Sequence, residues 1–165
     1  MSLLELPHTH NCLVCGRSNP HGLRLSLHVE TNDGFVHTTF IPAPYHAGFE
    51  SITHGGALAT VLDEAMVWAA TWRYKKFCLC AEMNIRFLRP AIVSQPLTIR
   101  ASVESFRPRL TTTHARVLDA QSQLLAEATG KYMPMTDTEH LAVINTFAPD
   151  PSTASAAKLL AQNSI

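Results

Sequence analysis

The chain has no excess of either charge: 13 Lys and Arg balance 13 Asp and Glu, for a formal net charge of +0. Nucleic acid and anionic membrane surfaces are bound through a basic excess, so neither is expected as a partner. The chain also lacks an apolar run long enough to span a bilayer. Its longest, after Gly56, is interrupted by Asp63 and Glu64. The opening residues, Met1-Ser2-Leu3-Leu4-Glu5-Leu6-Pro7, have neither the basic nor the apolar region of an export signal. Cysteines number four; without an export signal they are expected as reduced thiols, and the compartment as cytoplasm. No internal repeat is visible.

What is present suffices for one domain with a real core: 165 residues, 46% hydrophobic. Residues 1–22 read as an irregular lead-in, punctuated by Pro7, Gly16, Pro20 and Gly22. Leu23, Leu25, Leu27 and Val29 then alternate with Arg24, Ser26, His28 and Glu30, the period of a half-buried strand. Asn32-Asp33-Gly34 is a hairpin turn signal, and the returning strand Phe35–Ile41 is stopped by Pro42 and Pro44. A helix is predicted over 55–74. Its apolar positions cover most of its circumference, so it should be buried on several sides.

Downstream only strand signals follow: Cys78–Leu88, Leu97–Phe106, Leu110–Asp119 and Leu124–Met133. Residues 23–135 thus form the main domain. In 136–165 a short helix is expected around Thr138–Phe147, and then an Ala/Ser-rich tail that is a loose helix or disordered. The order β-β-α-β-β-β-β predicts an α+β architecture, with a curved antiparallel sheet wrapped around one long central helix. One flank of that helix would stay uncovered, for a second subunit to close.

Two glycines, Gly55 and Gly56, open the helix, and the acidic pair Asp63-Glu64 interrupts it about two turns later. A helix N-terminus offers bare N–H groups and partial positive charge to an anion or a developing oxyanion. Glycine lets a substrate approach that backbone closely. A carboxylate inside an apolar helix is costly and needs a reason. Together these features suggest acyl chemistry.

The element order, with Ile52-Thr53-His54-Gly55-Gly56 and Leu62-Asp63-Glu64-Ala65, resembles the hotdog-fold thioesterases, in particular the PaaI-like acyl-CoA thioesterases of the phenylacetate type. Further matches are Cys12-x-x-Cys15-Gly16 with Asn19-Pro20-His21-Gly22-Leu23, and Glu82-Met83-Asn84-Ile85-Arg86-Phe87-Leu88-Arg89-Pro90. The resemblance covers roughly residues 12–135. It implies that the Gly55 N–H, supported by Gly56 at the helix end, binds the thioester carbonyl, and that Asp63 is the catalytic carboxylate. It puts Cys80 where a polar Ser or Thr often stands. An Asn or acidic residue shortly before the His-Gly-Gly corresponds here only to Gly48, with Glu50 two residues on. Glu50, Asn84 and Arg89 complete the substrate-binding candidates, and arginines beside the strands suit CoA phosphates because a guanidinium pairs with phosphate bidentately.

Thioester hydrolysis needs donors where the carbonyl oxygen becomes negative and a base for water or a nucleophile. Asp63 fits the base or nucleophile. His54 is a rival base, but its place at a helix N-terminus disfavours protonation, and a role in orienting the turn is preferred. Cys80 reads either as a thiol bonding the attacking water or, preferentially, as a small buried core residue. Glu64, about 100° further round the helix, is expected to be salt-bridged or solvated. Gly56 and Asp63 are roughly 10 Å apart along a helix rising 1.5 Å per residue. One thioester cannot easily reach both on one helix. A site shared by two antiparallel helices of a homodimer, or a dimer of dimers, resolves this.

His8-x-His10-x-Cys12-x-x-Cys15 could ligate zinc, but its histidine spacing matches no usual finger. A tight turn with Cys12 and Cys15 packed under the sheet edge is preferred, and no metal or redox cofactor is expected. The chain is thus expected to be an acyl-CoA thioesterase releasing free acid and CoA. Its rivals are an acyl-CoA hydratase or dehydratase on the same fold, and a non-catalytic acyl-CoA sensor.

Overall fold

The computed structural model describes residues 3–162. In chain order they form β1 (Leu3–Glu5), β2 (His28–Glu30), β3 (Val36–Phe40), β4 (Ala47–Phe49), β5 (Ile52–Thr53), α1 (Gly55–Tyr74), β6 (Cys78–Phe87), β7 (Leu97–Arg107), β8 (Leu110–Leu118), β9 (Leu124–Pro134), α2 (Asp137–Ile144) and α3 (Ala154–Gln162). Helix α1 starts where the His54 side chain caps it and stops where Lys75 turns left-handed at φ 57°. Between these ends it contains no proline, and Leu62, Ala65, Met66 and Ala70 are fully buried. No helix among the described residues is long and apolar enough to cross a membrane.

A seven-stranded antiparallel sheet, in the order β1-β2-β3-β7-β8-β9-β6, wraps α1. Alternate residues of its strands point at the helix: Val36 and Phe40, Leu97 and Ile99, Ala115 and Val117, Ala126 and Ala128, all buried. Fully burying the Val, Leu, Ile and Phe side chains among these stabilises by about 1.5–3 kcal/mol each. The strand β6 is ten residues long and, among the described residues, pairs only with β9, so it forms an edge of the sheet.

Three expectations need correction. Leu23–Val29 keeps its alternating burial, but only His28–Glu30 joins the sheet. Arg24 sits at φ 54°, and the Leu23 and Leu25 N–H groups bond the Leu13 and Val14 carbonyls at 2.8 Å instead. The lead-in takes the place of a strand partner there, and it also contributes β1. The tail is not loose over its described part: Ala156 and Leu160 of α3 are fully buried. Leu160 O is bonded by His140 Nε2 at 3.2 Å, and His140 Nδ1 accepts from the Phe77 N–H at 3.1 Å. Residues 163–165 lie outside the described residues.

Candidate active site

The short β4–β5 hairpin delivers the chain to the start of α1. Hydrogen bonds from Thr53 N to Ala91 O (2.7 Å) and from His54 N to His46 O (2.8 Å) fix its direction of entry. His54 Nδ1 accepts from Gly56 N at 2.9 Å. That bond requires an unprotonated Nδ1, so in the neutral ring the proton sits on Nε2 and faces outward as a donor. A ring so arranged offers no lone pair to a substrate. The same bond takes the Gly56 N–H, whereas the Gly55 N–H has no partner among the described residues. Gly55 is therefore the free donor at the positive end of the helix.

Gly55 opens onto a cavity of about 420 Å³ whose apolar wall includes Phe49, Ile52, Leu58 and Phe87. A Cβ on Gly55 would lie 3.2 Å from Phe87 Cζ, so glycine allows the ring and the helix start to meet. Arg89 also lines the cavity, with Nη1 anchored on Leu124 O at 2.8 Å.

Asp63 lies eight residues along the same helix from Gly55, roughly 12 Å at 1.5 Å per residue, and is not in that cavity's wall. Its Oδ1 accepts a 2.7 Å hydrogen bond from the hydroxyl of Tyr132, a fully buried side chain of β9. Burial first, and the neighbouring Asp63 carboxylate second, hold the Tyr132 phenol far above its ordinary range, so it stays a donor. Gly130 makes room for this ring, since a Cβ there would lie 2.5 Å from Tyr132 Cε2.

Cys80 pairs in register with Tyr132. It is exposed rather than the buried core residue expected, because β6 is a sheet edge that no further strand covers among the described residues. Burial of its inner side and the Asp63 charge push its thiol up. The ladder shifts between Cys80 and Glu82, so the inward set changes from Cys78 and Cys80 to Met83 and Ile85, which pack on the core. Asn84 thereby lands on the outer face, in a shallow groove with His114, Glu127 and Thr129. Glu50 sits exposed at the β4–β5 turn with φ 45° and outside the cavity wall. The fold thus gathers His54, Gly55 and Arg89 at one place and Asp63, Cys80 and Tyr132 at another. Asn84 and Glu50 join neither group.

Residues 50–126 match the thioesterase superfamily model. The chain has the hotdog fold, and over residues 50–126 it is similar to the thioesterase superfamily. A thioesterase superfamily protein of known structure is similar with a TM-score of 0.69 and 24% identity, over 75% of this chain and 60% of that one. The chain thus spans less than two thirds of that relative. The Escherichia coli PaaI protein of the phenylacetic acid degradation operon is similar with a TM-score of 0.63 and 21% identity, over 68% of this chain and 80% of that one. A Streptococcus mutans UA159 protein solved bound to acetyl CoA has a TM-score of 0.61 and 16% identity, over 67% and 88% of the two chains. No curated protein matches the chain.

In this hotdog domain Tyr132 was the residue that sequence reasoning missed. A buried tyrosine in a strand needs a partner for its hydroxyl, and Gly130 two residues before it marks space for a ring; both signals are readable but name no partner. Glu64 also departs from its expectation. It makes no salt bridge among the described residues and is only partly exposed. The lead-in covers it, and Trp68 Nε1 donates to its Oε1 at 3.1 Å. Burial, with Cys12 nearby, pushes its carboxyl up to about 7.

Proposed function

We propose that this hotdog protein hydrolyses acyl-CoA thioesters to free acid and CoA, at sites shared between two copies of the chain. The observation that carries this reading is the free Gly55 N–H on an apolar cavity, with a hydroxyl-anchored Asp63 too far along the same helix to serve it. The acetyl CoA bound by the Streptococcus mutans relative supports CoA as the thiol carrier, and four free thiols suit the cytoplasm.

Two surfaces suit the pairing of copies. The edge strand β6 carries a row of backbone groups open to another strand. Gly56, Ala59, Thr60 and Asp63 form a stripe of mostly small residues on α1 that the sheet leaves partly exposed. An antiparallel partner helix on that stripe brings Gly55 of one copy beside Asp63 of the other. Gly55 N–H polarises the carbonyl. Asp63 Oδ1 is held by Tyr132, leaving Oδ2 to take a proton from water as its oxygen attacks the carbonyl carbon. The C–S bond then breaks, and the CoA sulfur leaves as a thiolate that takes up the proton. Cys80 and Arg89 border this path, Arg89 with a guanidinium suited to phosphate.

A thiol-release assay over short, long and aromatic acyl-CoAs tests the activity. The shared site is tested by mixing variants. Gly55→Pro deletes the N–H at a helix position that tolerates proline, and Asp63→Asn deletes the base. Each alone should be nearly inactive, whereas random mixed dimers regain about a quarter of the wild-type rate, because half are mixed and each of those has one intact site. No recovery in mixtures shown to contain mixed dimers would remove the shared site from the reading.

A further inference from the structure

The N-terminal His/Cys motif has no part in the site above, and the fold brings it to Glu64. Cys12 Sγ, Cys15 Sγ and a Glu64 carboxylate oxygen lie within 4.8 Å of one another. Cys12 Sγ is 4.0 Å from Glu64 Oε1. Around a tetrahedral zinc, with Zn–S about 2.3 Å and Zn–O about 2.0–2.2 Å, a sulfur and an oxygen stand about 3.5 Å apart and two sulfurs about 3.8 Å. Only small side-chain adjustments separate the observed triad from that geometry.

The turn holding the cysteines is built for a thiolate. The backbone N–H groups of Val14 and Cys15 both donate to Cys12 Sγ at 3.3 Å. The turn closes with Gly16 N on Cys12 O at 3.1 Å. A Cβ on Gly16 would lie 2.4 Å from that oxygen, so a larger residue would open the turn.

His8 supplies an independent observation. It lines the same cavity, of about 180 Å³, as Cys12, Cys15 and Glu64. It is only 7% exposed, and its Nδ1 is buried with no hydrogen-bond partner among the described residues. Its other nitrogen, Nε2, is 3.3 Å from Asp150 Oδ2. One ring nitrogen oriented by a carboxylate and the other left open is the arrangement of a metal-ligating histidine. His10, the other histidine of the motif, is exposed and outside the cavity wall.

We propose that Cys12, Cys15 and Glu64 bind a zinc ion, and that His8, which lies outside their 4.8 Å cluster, swings its Nδ1 in as the fourth ligand. Binding releases the ligand protons to solvent. Four protein ligands leave no open position, so the ion is structural. It ties the lead-in to the middle of α1, at the residue next to Asp63.

The test uses the full chain, reduced, stripped with chelator and titrated with Zn²⁺ or Co²⁺ alone. The expected result is about one equivalent bound, with thiolate-to-cobalt charge transfer and tetrahedral cobalt absorption. Cys12→Ser and Cys15→Ser should abolish the charge-transfer band or weaken binding roughly a hundredfold, and His8→Ala and Glu64→Gln should weaken it roughly tenfold or more. Cys78→Ser should bind as the wild type does. Should a cysteine variant fail to fold, the wild-type cobalt spectrum and the isosteric Glu64→Gln variant still decide. Absence of stoichiometric metal in the folded reduced chain overturns the site. So does binding that survives both cysteine substitutions, or a Cys12–Cys15 disulfide forming in air in a chain whose reduced form takes up no metal.

Discussion

Asp63 and Glu64 are consecutive on one helix and chemically similar, yet they face different surroundings. About 100° of rotation separates them. Asp63 looks past the edge strand, is anchored by the Tyr132 hydroxyl at 2.7 Å, and has Cys80 beside it. Glu64 looks under the lead-in, receives one indole N–H, and has two thiols as neighbours. Among the described residues neither pairs with a cation. The Asp63 side keeps a carboxylate oriented and reachable. The Glu64 side keeps one covered among soft ligands. One helix can thus serve two chemistries if the sheet leaves one flank open and a separate segment covers the other.

The largest effect that can break this comparison is on turnover. Asp63→Asn should slow thiol release roughly 10²–10⁴-fold, the usual contribution of a positioned base, with little change in melting temperature. If Glu64→Gln slows release as much, the division between the two flanks fails.

Next is an effect on stability in the metal-stripped protein. The folded Glu64 carboxyl holds its proton up to about 7, against an ordinary 4.5, chiefly through burial and then through Cys12. Between those values the folded state binds a proton that the unfolded state has lost, so stability falls as pH rises through that window. The loss is on the order of 3 kcal/mol. Glu64→Gln should flatten this slope, as read by denaturant melts at pH 5 and pH 8. An unchanged slope would mean that Glu64 is not covered in solution.

Tyr132→Phe keeps the ring and deletes the hydroxyl on Asp63, so release should slow roughly tenfold, the worth of one hydrogen bond. Gly130→Ala should act in the same direction by pushing the ring aside. Wild-type rates in both would detach Tyr132 from Asp63. The smallest expected effect sharpens the Asp63 side alone. Because the Asp63 charge helps to hold the Cys80 thiol up, Asp63→Asn should speed alkylation of Cys80 a few-fold at pH 8, followed residue by residue by mass spectrometry. An unchanged rate would separate the two groups.

Much of this architecture was legible in the chain. The 55–74 helix and the four strands after it follow from apolar periodicity and proline stops, and their bounds agree with the structure to within one or two residues at most ends. Leu23–Val29 failed as a strand because its alternation reflects burial under the lead-in, which periodicity cannot distinguish from a sheet ladder. Cys80 departs from the buried core residue expected because the exposed edge and the register shift after it depend on neighbouring strands, not on β6 itself. From the sequence Glu64 reads as salt-bridged or solvated, because helical geometry gives a direction but not what lies there.

The sequence by itself determined the elements, the glycine-opened helix and the residues at its start, because propensity, capping and periodicity act over a few neighbouring positions. Only the tertiary structure decided that His54 occupies the Gly56 N–H and leaves that of Gly55 free, that Tyr132 meets Asp63 across 69 positions of chain, and that Cys12 and Cys15 meet Glu64. Hydrogen bonds and ligand geometry act over a few ångströms of space, and which distant residues come that close is settled by how the sheet curls and where the two ends of the chain pack.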